Sequence, residues 1–253
     1  MPHFRRFLFF LLLMAPGLLP VLTGAAGTPA DTSSAESSSE GTSSAGISGT
    51  VLYEASPELP WRYARYYVNR KGQLAEAVVV LTRRSGGRIR TSPAPEHESV
   101  THEMGQKDFR FDPETLVIRE GDRVRFTNAD QQLHNVQTSD LLPFNVNTPP
   151  EGKGHVQLFP KAGGTRRPVR LGCVFHSNMR AWIYVFDHPY CALTGPDGSF
   201  HLKHVPPGEY RLTVVHPAGQ LSHSTDVTVE DGAVTRSTLT LTPDDLTNRK
   251  GKS

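Results

Sequence analysis

The stretch VRLGCVFHSNM, residues 169–179, combines the pattern of a β-strand with three side chains that can bind a metal. Its first residues alternate between apolar and polar or small side chains, so a strand here would turn Cys173 toward the interior. His176 and Met179 follow at intervals of three residues. A single turn that leaves the strand can fold a segment of this length around one ion.

A fourth candidate ligand, His134, follows another alternating segment. Val124 and Phe126 alternate with arginines, and a turn at residues 128–130 separates them from His134. In a β-sandwich, the two loops can lie at the same end. Two imidazoles, a thiolate and a weak axial thioether form the trigonal site that suits copper in both redox states. The predicted ligands of this type 1 copper site are His134, Cys173, His176 and Met179.

Each of these residues also has a simpler interpretation when it is taken alone. Two cysteines in an oxidising compartment favour a disulfide between Cys173 and Cys191. Met179 can be a core residue, and the histidines can be ordinary loop residues. Zinc is the alternative metal, but methionine is a poor zinc ligand and zinc prefers four strong donors. The spacing and strand context together favour copper.

The rest of the chain predicts an all-β protein. Short alternating segments recur between Ile47 and Leu241, and the 20 Pro and 22 Gly supply the turns between them. The expected strands include one with Phe109 and Phe111 on one face and one with Val156 and Leu158 on one face. No segment shows the period of a helix. Such short strands are typical of β-sandwiches.

Four motifs resemble the cupredoxins, over about residues 104–187. They are Phe111-Asp-Pro113, Gly121-Asp122-x-Val124-x-Phe126-x-Asn128, His134-Asn135-Val136 and Cys173-x2-His176-x2-Met179. The short ligand loop is most similar to that of amicyanin and of plastocyanin-like proteins associated with methylamine utilisation. The resemblance implies a Greek-key sandwich with one copper ion on the four ligands. It also implies that Asn135 hydrogen-bonds near the cysteine loop and steadies the thiolate. Amicyanins usually carry a proline in this loop, whereas this chain has no proline between Cys173 and Met179.

The resemblance further implies one-electron transfer between redox proteins, with the electron leaving through the edge of His176. A group of apolar neighbours is expected either to surround that edge as a docking patch or to lie in the core: Pro143, Phe144, Phe175 and Trp182. A second functional class is copper storage or delivery. A third is a binding module for a partner or an envelope glycan, suggested only by the Tyr- and Arg-rich segment 61–70, which is more simply a loop that covers the fold.

Enzymatic activity is not expected. The chain has none of the His-x-His pairs of multicopper oxidases, and His97-Glu98 with His102 departs from the His-Glu-x-x-His zinc motif. The nucleophile elbow Gly-x-Ser-x-Gly is also missing. Charged residues make up 21% of the chain and the formal net charge is +2, so the composition gives no general case for nucleic acid or an acidic membrane surface.

The N-terminus predicts export. Arg5 and Arg6 precede the apolar run 7–14 and a group of small residues, which is the pattern of a cleaved signal peptide at residues 1–26. An uncleaved anchor is the alternative, but eight unbroken apolar residues are short against the roughly 20 of a spanning helix. We therefore expect a periplasmic, monomeric protein without a transmembrane segment in the mature chain. The Ser-rich residues 27–46 predict a disordered linker, and 244–253 a disordered tail.

Segments on both sides of the cupredoxin-like region resemble carboxypeptidase-regulatory-like (transthyretin-like) domains. Residues 47–51 and 74–81 are similar to the first two strands of such domains, and residues 194–212 are similar to the next strands. We therefore predict that the cupredoxin domain, 104–187, is inserted between two parts of one domain, 47–92 and 189–243. Consecutive β domains are the alternative.

The flanking domain shows no catalytic signature. Its histidines are expected at the surface, with a secondary metal site as the alternative: His201, His204, His216 and His223. Cys191 is expected to be a small buried residue rather than a ligand.

Overall fold

The computed structural model describes residues 45–85, 89 and 97–247, and these residues form an all-β structure, as the sequence predicts. The predicted signal peptide, nearly all of the linker and the end of the predicted tail lie outside the described residues. In the described part, the only helices are two short 3₁₀ turns, Ala64–Tyr66 and Pro243–Asp245. None of the described helices has the length and apolar character that crossing a membrane requires.

Sixteen strands are present in the described residues. In chain order they are β1 (Gly46–Tyr53), β2 (Val78–Arg83), β3 (Thr101–Lys107), β4 (Arg110–Asp112), β5 (Thr115–Arg119), β6 (Arg123–Phe126), β7 (His134–Thr138), β8 (Phe144–Thr148), β9 (His155–Leu158), β10 (Val169–Gly172), β11 (Arg180–Phe186), β12 (Cys191–Leu193), β13 (Ser199–Lys203), β14 (Gly208–His216), β15 (Leu221–Val229) and β16 (Val234–Leu241).

Strands β3 to β11 form an inner sandwich of two sheets. One sheet has the order β5-β11-β10-β7-β8 and the other the order β4-β3-β6-β9. Met104, Phe126 and Ile183 are among the fully buried residues between them. The alternation of Val124 and Phe126 places both side chains in this core, because residues two apart on a strand share a face.

The remaining strands form an outer sandwich, with sheets β13-β1-β16 and β12-β2-β14-β15. Strand β2 pairs with both β12 and β14, so strands from before and after the inner sandwich lie in one sheet. Strand β1 likewise pairs with β13 and β16. The inner sandwich is therefore inserted between two parts of the outer one.

Strand β11 joins the two sandwiches because both of its faces are buried. Ile183 points into the inner core, whereas Tyr184 and Phe186 pack against Val78 and Val80 of β2. Burial of a large apolar side chain stabilises a fold by roughly 1.5–3 kcal/mol. This apolar layer therefore joins the sandwiches firmly and fixes the position of the loop that precedes β11.

Two of the expected strand patterns differ from the structure. Asp108 and Phe109 have positive φ angles of 52° and 58° and form the turn between β3 and β4, so only Phe111 is in a strand. Val156 and Leu158 do alternate on β9, but they point outward, and His155 and Gln157 are the more buried residues of the strand. β9 is the last strand of its sheet, so apolar residues on it need not face the core.

Candidate metal centre

Two antiparallel strands bring the predicted ligands to one end of the inner sandwich. β10 ends at Gly172, which pairs with Gln137 of β7, and His134 begins β7. Because the strands run in opposite directions, the chain that continues from Gly172 through Cys173 runs back toward His134 at the start of β7. The loop after Cys173 is closed by a hydrogen bond from the Met179 N–H to the His176 carbonyl, 3.0 Å.

The donor atoms of three predicted ligands converge. Nδ1 of His134 lies 3.0 Å from Nδ1 of His176, and Sγ of Cys173 lies 3.6 Å from Nδ1 of His176. All three atoms lie within 4.8 Å of one another. Donors that share one ion, with bonds of about 2.0–2.3 Å, lie about 3–4 Å apart. The three side chains therefore fit a single metal ion.

Burial divides the four predicted ligands into two groups. His134 and Met179 are fully buried and Cys173 is 6% exposed, whereas His176 is partly exposed. Met179 belongs to the same buried apolar cluster as Cys173. The structure thus brings His134, Cys173 and His176 together and places Met179 in the adjoining core. Only His176 connects this group to the surface.

Asn135 links the cysteine loop to the neighbouring strand. Its Oδ1 accepts a long hydrogen bond, 3.4 Å, from the N–H of Val174. Its Nδ2 donates to Oδ1 of Asn145 at 2.6 Å and to the carbonyl of Val146 at 3.0 Å. Asn135 therefore restrains the backbone beside Cys173, which is the location that the resemblance implies for it.

Asp130, which the sequence indicates only as a turn residue, positions His134. Its Oδ2 lies 2.7 Å from Nε2 of His134, so Nδ1 remains free for a metal. The carboxylate also accepts hydrogen bonds from the N–H groups of Asp108, 2.7 Å, and Phe109, 3.0 Å. Burial opposes ionisation, but these three hydrogen bonds hold the pKa of Asp130 below its usual range. The sequence signal that could have identified Asp130 is its position four residues before the candidate ligand His134.

The turn that Asp130 holds brings Phe109 against the site. The Phe109 ring lies 5.6 Å from the His134 ring and 4.9 Å from the His176 ring, both edge-on. Three more exposed apolar residues lie in the ligand segments themselves: Leu133, Val174 and Phe175. Phe109 and Phe175 therefore place apolar surface beside the partly exposed His176.

The apolar patch expected from the sequence is divided by the structure. Phe175 is 50% exposed, and Pro143 is also exposed. Phe144 packs against the inner core, and Trp182 packs with the residues between the two sandwiches. Only part of that group is therefore available at the surface.

The cysteines do not form a disulfide, because Cys173 and Cys191 are both free thiols. Cys191 lies on β12 in the apolar layer between the sandwiches, and burial raises its pKa to about 12. Its Sγ lies 3.6 Å from the carbonyl of His188. The disulfide alternative is wrong, and Cys191 is a packing residue.

The expectation of surface histidines is wrong for His216. It is fully buried, with its ring 4.9 Å from the Trp61 ring and 4.7 Å from the Tyr67 ring. Burial lowers its pKa to about 3, so it stays neutral. His201 and His204 are exposed.

Comparison with solved structures finds similar folds over part of the chain. A purple cupredoxin from Nitrosopumilus maritimus is 21% identical, with a TM-score of 0.30, and the match covers 34% of this chain and 99% of that one. An amicyanin mutant in its reduced state is 18% identical, with a TM-score of 0.29, over 42% and 99%. A copper-containing nitrite reductase from Thermus scotoductus is 22% identical, with a TM-score of 0.30, over 39% and 25%. No family model and no curated protein sequence matches the chain. The metal assignment therefore rests on the donor atoms themselves.

Proposed function

We propose that this protein is an exported type 1 copper protein that carries single electrons between redox partner proteins. The observation that carries the proposal is the convergence of Nδ1 of His134, Nδ1 of His176 and Sγ of Cys173 at one end of the inner sandwich. Thiolate and thioether donors favour Cu(I), and imidazoles also suit Cu(II). When bound there, copper would supply a one-electron couple.

The surroundings of the ligands support electron transfer over copper delivery. His134 is held by Asp130, and Asn135 restrains the backbone after Cys173. Three of the four predicted ligands are buried, and two of them, Cys173 and Met179, belong to the apolar core of the inner sandwich. Ligands that are fixed in this way rearrange little when an electron passes, and they release an ion slowly. A delivery protein would need more accessible ligands.

The exposed edge of His176 supports its role as the electron exit. His176 is the one predicted ligand that reaches the surface, and Phe109 and Phe175 lie beside it. Aromatic residues on a surface supply contact area for a protein partner. We propose that a redox partner docks over this edge, and that the protein acts as a monomer in the periplasm after removal of residues 1–26.

Addition of Cu(II) to the purified, thiol-reduced protein tests the proposal. The expected result is an intense visible thiolate-to-copper charge-transfer band that disappears on reduction and returns on oxidation. A copper-loaded sample without this band would refute the type 1 assignment. A band with copper that is rapidly lost to a chelator, and slow electron self-exchange, would favour delivery instead.

A further inference from the structure

The segment between β1 and β2 carries a group of arginines and tyrosines that the copper site does not use. Tyr63 and Tyr66 are both substantially exposed, and their rings stack 6.5 Å apart. The guanidinium of Arg65 lies 4.8 Å from the Tyr66 ring and donates to its hydroxyl at 2.9 Å. Arg62 lies over the Tyr63 ring at 5.8 Å. These contacts hold charged groups at the surface of the outer sandwich.

The inner sandwich adds two arginines to the same group. Arg110 lies 4.7 Å from the Tyr66 ring, and Arg180 lies 5.7 Å from the Tyr63 ring. Tyr63 and Tyr66 therefore each contact one arginine from each sandwich. The two tyrosines join the segment between β1 and β2 to β4 and to the start of β11, the strand that follows the ligand loop.

A cleft of about 300 Å³ lies at this junction. Its lining includes Tyr63 and Tyr66 from the segment between β1 and β2, and Phe109, Ser177 and Asn178 from the inner sandwich. Ser177 and Asn178 lie between the predicted ligands His176 and Met179. A second cavity of about 440 Å³ is lined by Trp61 and Leu59. It adjoins the first cleft, because Tyr63 and Arg180 line both. The junction is therefore a long groove that begins at the ligand loop.

Positive groups outnumber negative groups in the groove. Among the described residues, the charged side chains that line the first cleft are Arg110, Arg180 and Glu114, and Glu114 is already paired with Arg110 at 2.6 and 2.9 Å. The second cavity adds Arg62 and Glu58. Within residues 45–85, 89 and 97–247, Arg62, Arg65 and Arg180 have no carboxylate partner. Hydrogen bonding and charge from Arg65 hold the pKa of Tyr66 below its usual range, against a small opposing effect of burial. The net charge of the whole chain is only +2, so this group of arginines is a local concentration of positive charge.

We propose that this groove is the docking site for an acidic segment of the redox partner, so that the outer sandwich selects the partner. The inference rests on the proposed electron-carrier function and names the chemistry of the partner. Unpaired guanidinium groups bind carboxylates with charge-assisted hydrogen bonds. Arginine and tyrosine are also the residue types that supply much of the binding energy at protein interfaces. A segment bound here contacts Ser177 and Asn178, and therefore lies beside the ligand loop.

A hexaglutamate peptide provides the test, because it represents an acidic segment without requiring electron transfer. The peptide is titrated into the purified protein, in its copper-free and its reduced copper-loaded forms, while backbone amide NMR shifts are recorded. We expect shifts at Tyr63, Tyr66, Ser177 and Asn178. The affinity should fall between 0.01 and 0.15 M salt, where the screening length shortens from about 30 to about 8 Å.

Charge-neutralising variants then locate the site. Arg65→Gln and Arg180→Gln should each weaken peptide binding roughly threefold, and the double variant roughly tenfold. Arg236→Gln, an equal change of charge on the exposed face of β16, should leave the affinity unchanged. The absence of shifts at the groove, or equal weakening by Arg236→Gln, would overturn the docking proposal. The visible copper band is measured separately, so its loss would refute the copper site without deciding the docking site.

Discussion

The two sandwiches each contain a cysteine and a histidine three residues apart, and among the described residues only one of these pairs belongs to the candidate metal cluster. In the inner sandwich, Sγ of Cys173 lies 3.6 Å from Nδ1 of His176, and Nδ1 of His134 faces the same point. At the start of the outer sandwich's second part, Sγ of Cys191 instead lies against the carbonyl of His188. Nδ1 of His188 accepts a hydrogen bond from the N–H of Tyr190 at 3.2 Å.

The difference shows that spacing along the chain does not by itself form a metal site. The pair at Cys173 lies at an open end of a sandwich, where β7 supplies His134. Cys191 lies in the apolar layer between the sandwiches, where burial raises its pKa to about 12 and keeps the thiol neutral. A thiolate is the form that binds a metal. The ligand set therefore depends on a third element and on the environment of the thiol.

Exchange of each sulfur for oxygen gives the largest expected difference between the two pairs. Cys173→Ser should abolish the visible charge-transfer band completely, because the band needs a thiolate on copper. Cys191→Ser should retain the full band, since its thiol lies in the layer between the sandwiches. Absorption of the copper-loaded variants measures both effects. A band lost in Cys191→Ser as well would contradict the assignment of the two cysteines.

Alkylation tests the neutrality of the second thiol. In the Cys173→Ser variant, Cys191 should react with iodoacetamide at pH 8 roughly a thousandfold more slowly than an unperturbed thiol with a pKa of about 8.5. Because its pKa is raised to about 12, the rate should increase about tenfold per pH unit through pH 10. The urea-unfolded variant is the control and should level off above about pH 8.5. A plateau near that pH in the folded protein would contradict the buried environment.

Asp130→Asn tests whether the carboxylate positions the first histidine. The variant keeps an oxygen near the Asp108 and Phe109 N–H groups but loses the charged acceptor for Nε2 of His134. We expect the copper affinity to fall about 10–100-fold, which is the usual effect of changing such a partner, and copper to transfer to a chelator correspondingly faster. Asp231→Asn, in the exposed turn before β16, is the matched control. Equal rates in wild type and Asp130→Asn would remove Asp130 from the site.

The sequence predicted the features that depend on local patterns. Alternation placed Cys173 inward because side chains two apart on a strand share a face, and its exposure is 6%. The loop from Cys173 to Met179 is short, so its spacing keeps His176 near Cys173, and Sγ of Cys173 lies 3.6 Å from Nδ1 of His176. The pairing of β2 with β14 joins residues more than 100 positions apart, and a resemblance of the flanking segments suggested it.

Features that depend on tertiary contacts were missed. The contact of Asp130 with His134 requires the conformation of the loop between β6 and β7, which its residue types do not specify. Phe109 continues an alternating pattern, but two positive φ angles turn it out of the strand and toward the histidines. His216 looks like any strand histidine, and its burial follows from the packing of Trp61 and Tyr67 around it.

Phe175→Ser gives the smallest expected effect and separates the function of the site from its stability. Phe175 is 50% exposed, so its loss should change the free energy of unfolding by no more than about 0.5 kcal/mol. Electron self-exchange, in which two copies meet at the exposed histidine, should nevertheless slow roughly fivefold, since a contact aromatic contributes about 1 kcal/mol or more. Leu158→Ser on β9, with 40% exposure in the same sandwich, is the matched control and should leave self-exchange unchanged. Equal slowing in both variants would mean that electrons do not leave through the surface around His176.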